Sequence, residues 1–202
     1  TGYEANGEII GPKGTPLHEK EIEDLKLFFV TGAFASNATI HPPDDEHAVW
    51  YCLGDPTEGA LITPAHKAGL DTDSLSRHHI ELKEFTFDSA RKRMSSIRQY
   101  NDQLCVFAKG APETILDVCT QLWDGKKIRK LTTKDRQQIL TYNDTQANQA
   151  MRNLGLAYKT LPIKSDPKAT SMEFAEEGLT WLGMASMIDP PREEIPAAML
   201  AA

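Results

Sequence analysis

Lys109 stands at the end of an apolar run, Cys105-Val106-Phe107-Ala108, and is followed at once by Gly110-Ala111-Pro112-Glu113. A lysine where a buried strand becomes a tight turn either reaches for water or forms one wall of an anion site, and the glycine beside it lets a backbone or a ligand approach closely. Three other stretches carry groups that could join it. In "FTFDSARKRMSS" the cations Arg91, Lys92 and Arg93 follow Phe87, whose ring could stack on a base beside phosphate-seeking charges. On an extended strand Arg91 and Arg93 share one face and Lys92 takes the other. The same charges would serve equally well as a solvated edge that resists aggregation. In "GDPTEGAL", Asp55 and Glu58 have the spacing of a helix-capping box, which accounts for both acids. Either could instead accept a hydrogen bond from an exocyclic amine such as that of adenine. Arg152 is expected near the end of a long helix, where the helix dipole alone favours a cation.

Other chemistries have less footing. The phosphate loop G-x-x-x-x-G-K-[ST], a nucleophile elbow, a Ser-His-Asp set and a Gly-rich dinucleotide fingerprint do not occur. His41 and His47 flank Asp44-Asp45-Glu46 beside two prolines, which fits a mobile acidic loop better than a metal site. His78 and His79 would point apart on a strand. Cys52, Cys105 and Cys119 are odd in number and lack C-x-x-C spacing, arguing for a reducing compartment rather than disulfides or zinc. The net charge of −7 over 202 residues repels nucleic acid and anionic lipid. A phosphate-bearing partner must therefore be held by local positive charge. The apolar run from Trp181 to Ile188 is too short to span a bilayer, and the chain reads as soluble, cytoplasmic and monomeric.

The elements that must position these residues follow from pattern. A turn-rich opening gives way to a helix from Glu19 to about Ala35, then to a loop at "HPPDDEHAVW". A short strand at 49–53 leads into a helix capped by Asp55, with Pro56 at its first position and Pro64 as a possible kink. Residues 80 to 109 hold β-like runs, with Asn101-Asp102 as a hairpin turn. Pro112 starts a helix bearing Ile115, Leu116, Cys119 and Leu122 on one face. Thr132 or Thr133 caps a long polar helix towards Arg152, and two strand-like runs close the chain. Helices clustered around hairpins predict an α+β fold with a largely antiparallel sheet.

Taken in order, "GDPTEGAL", "FDSARKRMS", "KGAPE", "MRNLGLAYK" and "DPPR" resemble the nucleotide-binding (N) domain of P-type cation-transporting ATPases, most like bacterial calcium-pump members. The resemblance covers nearly the whole chain. It implies one N domain over residues 1–202, with 1–12 and 188–202 as linkers towards a phosphorylation domain. It implies that Phe87 stacks on the adenine of ATP, that Glu58 bonds the amino group, and that Lys109 lines the pocket. Lys92 and Arg152 would steady the triphosphate, Met94 and Leu154 would form apolar walls, and Gly110 and Ala111 would give the base close access. Asp189 and Arg192 would belong to the hinge. Where some members place a phosphate-binding arginine two residues after the phenylalanine, this chain has Ser89; either Arg91 or Arg93 compensates, or the affinity for phosphates is weaker. The D-K-T-G-T motif of the phosphorylated aspartate is absent from the sequence. The expectation is therefore an excised cytoplasmic domain that binds ATP without hydrolysing it. Mg2+ would accompany the nucleotide and be completed by the phosphorylation domain, and the actuator domain would be a further partner. A pump for sodium, potassium or protons, and a degenerate docking module, are the alternatives.

Overall fold

The structure, a computed structural model, describes residues 2–188. Its centre is a seven-stranded sheet built from β3 (Glu81–Asp88), β4 (Arg93–Tyr100), β5 (Gln103–Gly110), β6 (Cys119–Trp123), β7 (Ile128–Lys130), β8 (Arg152–Thr160) and β9 (Leu179–Met187). The spatial order is β3-β4-β5-β8-β9-β6-β7, and every pairing is antiparallel except β6 with β9. Asn101 and Asp102, at φ 48° and 60°, make the tight β4–β5 turn, since two consecutive left-handed residues match the twist of a hairpin. The predicted α+β class with a mostly antiparallel sheet is what the chain adopts.

Side-chain alternation divides the sheet into two faces. On one lie α1 (Glu19–Phe34) and α2 (Pro56–Lys67), with α3 (Thr72–His78) beside them. Phe34 meets Phe107 of β5 edge-on at 5.0 Å, and Val30, Cys105 and Phe107 complete that buried cluster. A two-stranded sheet, β1 (Thr39–His41) with β2 (Tyr51–Leu53), packs Ile40 and Cys52 against Ile62 of α2. The other face gathers Ile97, Val106, Ala108, Ala157 and Trp181 around Ile115 and Leu116 of α4 (Pro112–Val118). It is flanked by α5 (Thr133–Ala147) and α6 (Met172–Glu176). Each fully buried Leu, Ile or Phe contributes about 1.5–3 kcal/mol relative to an exposed one, so both faces hold the sheet. None of the described helices is long and apolar enough to cross a membrane.

Several local expectations need correction. Cys119 and Leu122 are not on the α4 helix: the helix stops at Val118 and the chain enters β6. Strand pairing of Cys119 with Leu179 takes over there, and Arg136 donates to the carbonyls of Leu116 and Cys119, both at 2.5 Å, satisfying acceptors that a continuing helix would have used. Arg152 does not end the long helix. That helix finishes at Ala147, Ala150 reverses the chain at φ 59°, and Arg152 opens β8. Residues 89–92 form a turn rather than a strand, and His78 and His79 sit at the end of α3. Pro64 lies within α2 without ending it. The hinge residues Asp189 and Arg192 lie outside the described residues.

Gly155 shows how tightly the sheet centre is filled. A Cβ there would come within 2.6 Å of the Trp181 ring and 3.3 Å of Ile115. Gly155→Ala should therefore lower stability by about 1–3 kcal/mol through overpacking, read as a lower urea midpoint at constant slope. An unchanged midpoint would mean Trp181 yields freely.

Candidate functional site

The candidate residues converge on one end of the sheet, where β4 and β8 begin, β5 ends and α2 starts. Asp55 caps α2 by accepting from the Thr57 N–H at 2.7 Å. Its own burial opposes ionisation, but the Thr57 bonds and the nearby Arg152 charge outweigh that and hold the carboxyl below its ordinary value. Glu58 does not close a capping box. It turns across to the end of α1, where Oε2 accepts the backbone N–H groups of Asn37 (2.8 Å) and Ala38 (3.0 Å). Oε1 accepts from Lys109 Nζ at 2.7 Å.

Lys109 is thus no surface lysine: it is only 7% exposed. Its Nζ also donates to Ser36 Oγ at 3.0 Å, and Ser36 donates onward to the Gly32 carbonyl at 2.7 Å. Burial pushes the ammonium below its usual lysine value, and the bond and charge of Glu58 partly restore it. These contacts account for two of the three Nζ hydrogens. On Oε2 two donors fill both lone-pair positions, whereas Oε1 carries one.

Strand register sets the neighbours. Met94 stands opposite Lys109, which stands opposite Leu156. Met94 is 3% exposed, and the half-buried Leu154 lies two residues along β8 on the same face. Arg152, two further, is exposed.

The β3–β4 turn overhangs this end. Phe87 is 63% exposed. Asp88 Oδ1 accepts from the N–H groups of Ala90 (3.0 Å) and Arg91 (2.9 Å), folding the turn that leaves Lys92 at φ 51°. The Lys92 carbonyl takes the Ala111 N–H at 2.9 Å, while its side chain belongs to an exposed residue. A Cβ on Gly110 would meet that carbonyl at 2.4 Å. The absence of a side chain at Gly110 is therefore required by the protein's own turn.

Arg91 and Arg93 also differ from expectation. Both bind Glu176 of α6, at 2.5 and 2.7 Å, and Ser95 Oγ adds a third bond at 2.9 Å. In this arrangement they are committed to a carboxylate, so neither stands free to replace the arginine missing at Ser89. Ser36 and Glu176 were not singled out in the sequence, because neither belongs to a motif and each acts across 73 or more residues. Among the described residues no group of three or more His, Cys, Asp or Glu is placed to hold a metal ion. A cavity of about 400 Å³ lies at the opposite end of the sheet beside Tyr100, Asn101 and Trp123.

What this end of the molecule offers is a buried acceptor–donor pair, an exposed aromatic ring and exposed cations, an arrangement that could hold a ligand. Comparison with known proteins gives the chain a family. Residues 24–194 match the family described as "P-type ATPase, cytoplasmic domain N". The chain is 34% identical over 204 residues to the calcium-transporting ATPase of Bacillus subtilis (strain 168), covering 98% of this chain and 22% of that protein. It is 37% identical to calcium-transporting ATPase 1 of Lactococcus lactis over 71% of this chain and 16% of that one. A yeast relative, sodium/potassium exporting P-type ATPase 1 of Saccharomyces cerevisiae, is 31% identical over 91% of the chain. The chain belongs to the family of P-type ATPase N domains, and it spans only about a fifth of the length of these relatives.

The Glu58–Lys109 pair makes a direct prediction. Glu58→Gln and Lys109→Met should each destabilise the domain, and their double variant should lose less than the sum. The coupling expected is about 0.5–3 kcal/mol, the range for residues in contact. Because the folded ammonium titrates below its unfolded value, the folded domain binds fewer protons than the unfolded chain between the two. Wild-type stability relative to Lys109→Met should therefore rise as pH climbs towards the unfolded lysine value of about 10.4. Additive losses, or a difference that falls with pH, would contradict the pairing.

Proposed function

We propose that this domain binds ATP through its adenine ring and presents the γ-phosphate to an aspartate in another domain of a cation-transporting, most specifically calcium-transporting, ATPase. Family membership supports the class of function. The observation that carries the nucleotide reading is the Glu58–Lys109 pair. Adenine offers an N–H donor at its amino group beside an acceptor at N1, and guanine reverses both. Oε1 of Glu58 retains an acceptor position next to the remaining hydrogen of Lys109 Nζ, so the pair suits adenine and opposes guanine. A site built to bond one such edge rejects its inverse strongly, because its polar groups are left unpaired.

The other residues divide the remaining work. Phe87 supplies an exposed ring for stacking, and Met94 and Leu154 supply apolar walls. Lys92 and Arg152 give the local positive charge that an acidic domain needs to hold a triphosphate. Gly110 and Ala111 serve by fixing the turn that carries Lys92. Mg2+ would come with the nucleotide. The acceptor aspartate and the phosphorylation and actuator domains would be those of the longer protein, joined through a hinge that includes Asp189 and Arg192, so this chain binds nucleotide without turning it over.

Calorimetric titration with ATP and GTP at one ionic strength tests the reading. ATP should bind at least about tenfold more tightly, a difference of 1.4 kcal/mol. Phe87→Ala should weaken ATP by roughly 5- to 150-fold, since stacking contributes about 1–3 kcal/mol per base. Equal affinities for ATP and GTP, or an indifferent Phe87→Ala variant, would overturn the assignment.

A further inference from the structure

We infer that Glu176 is a positioning residue for the nucleotide's phosphate end, acting through Arg91 and Arg93 on the turn that carries Phe87 and Lys92; this rests on the ATP-binding reading above.

The geometry begins with a carboxylate that is 2% exposed. A buried carboxylate is costly unless paired and hydrogen-bonded. Glu176 has more than it needs for neutrality: Oε1 receives Arg91 Nη1 and Ser95 Oγ, while Oε2 receives Arg93 Nε. Two arginines from either side of Lys92 thus end on one carboxylate. Arg91 also donates to the Thr86 carbonyl at 2.7 Å, immediately before Phe87. The turn is consequently gripped before Phe87 and on both sides of Lys92 by groups that trace back to Glu176.

The base of this grip is itself fixed. Lys159 of β8 donates to the carbonyls of Phe174 and Glu177 on either side of Glu176, and Lys83 of β3 donates to those of Lys168 (2.9 Å) and Thr170 (2.8 Å) just before α6. A five-residue helix could not hold a rigid carboxylate alone. Tied to two strands, it can.

The consequence concerns Lys92. Its left-handed backbone is an uncommon conformation for a residue with a side chain, and such a conformation persists only where surrounding contacts over-determine it. On one side Asp88 and the Ala111 N–H hold it. On the other, Glu176 holds its two neighbours. Phe87 and Lys92 are both exposed and would otherwise move with the turn. Glu176 therefore converts a flexible hairpin tip into a fixed spacing between the stacking ring and the first phosphate-seeking cation.

Two readouts test this with Glu176→Gln, which keeps the shape and removes the charge. Amide exchange at Ala90, Arg91 and Lys92 should quicken about tenfold or more, while Val106 and Phe107 in the core keep their protection. In parallel, ATP affinity should fall several-fold more than adenosine affinity, so that the ATP-to-adenosine ratio drops. A general loss of structure would instead reduce core protection and adenosine binding together. Should that happen, Arg91→Gln, which leaves Arg93 and Ser95 on Glu176, is expected to give the same pattern more weakly. Unchanged exchange and an unchanged ratio would overturn the inference, and so would tighter ATP binding, which would mean that the arginines serve phosphate better when released. If the wild type binds neither ATP nor adenosine, the nucleotide reading fails and this assignment with it, while faster turn exchange in Glu176→Gln would still show the grip.

Discussion

An ammonium group cannot be placed inside a protein without a partner, and that constraint organises the working end of this molecule. Lys109 is carried inward by β5 because the residues before it, Val106, Phe107 and Ala108, are fully buried strand. Once inside, its charge demands acceptors. Glu58 and Ser36 are those acceptors, and they come from the start of α2 and the end of α1. Glu58 in turn takes two backbone N–H groups just beyond α1. One buried charge thereby ties β5, α1 and α2 together, and leaves hydrogen-bonding capacity unspent at the point where the three elements meet.

The opposite face repeats the device with the signs exchanged. Ser95 is next to Met94 on β4 and so points the other way, towards Glu176. There the buried group is the carboxylate, and the cations come to it from the rim. The end of the sheet is thus held by one charged network on each face, the first forming the floor of the proposed adenine site and the second steadying its overhang. Neither network is a motif of adjacent residues, and each joins segments far apart in sequence.

This explains what could be read from the sequence and what could not. The hairpins, the capped α2 and the buried approach to Lys109 depend on neighbours in the chain, so the α+β class was legible, whereas the grouping of Glu58, Phe87, Lys92 and Lys109 followed only from the family resemblance. Helix ends were not always so. Cys119 continues the apolar spacing of α4, yet pairing with Leu179 on β9 draws it into a strand, a choice settled by a residue 60 positions away. The three consecutive cations 91–93 looked alike, but a turn at 89–92 and a single distant glutamate give them different tasks. Gly110 was read as room for a ligand, and the close approach of the Lys92 backbone gives it a second, structural reason. Long-range pairing is invisible to local pattern, and it decided each of these cases.

Whether the Glu58–Lys109 pair receives the base decides between a binding site and a purely structural ion pair. The most direct measurement is an amide-resolved titration of the domain with ATP. Saturable shifts should centre on Asn37 and Ala38, whose N–H groups hold Glu58, and extend to Phe87, Lys92 and Lys109, with the Tyr100–Trp123 end of the sheet silent. Shifts gathered at that opposite end, or none at all at saturating nucleotide, would show that the buried pair only holds the fold together.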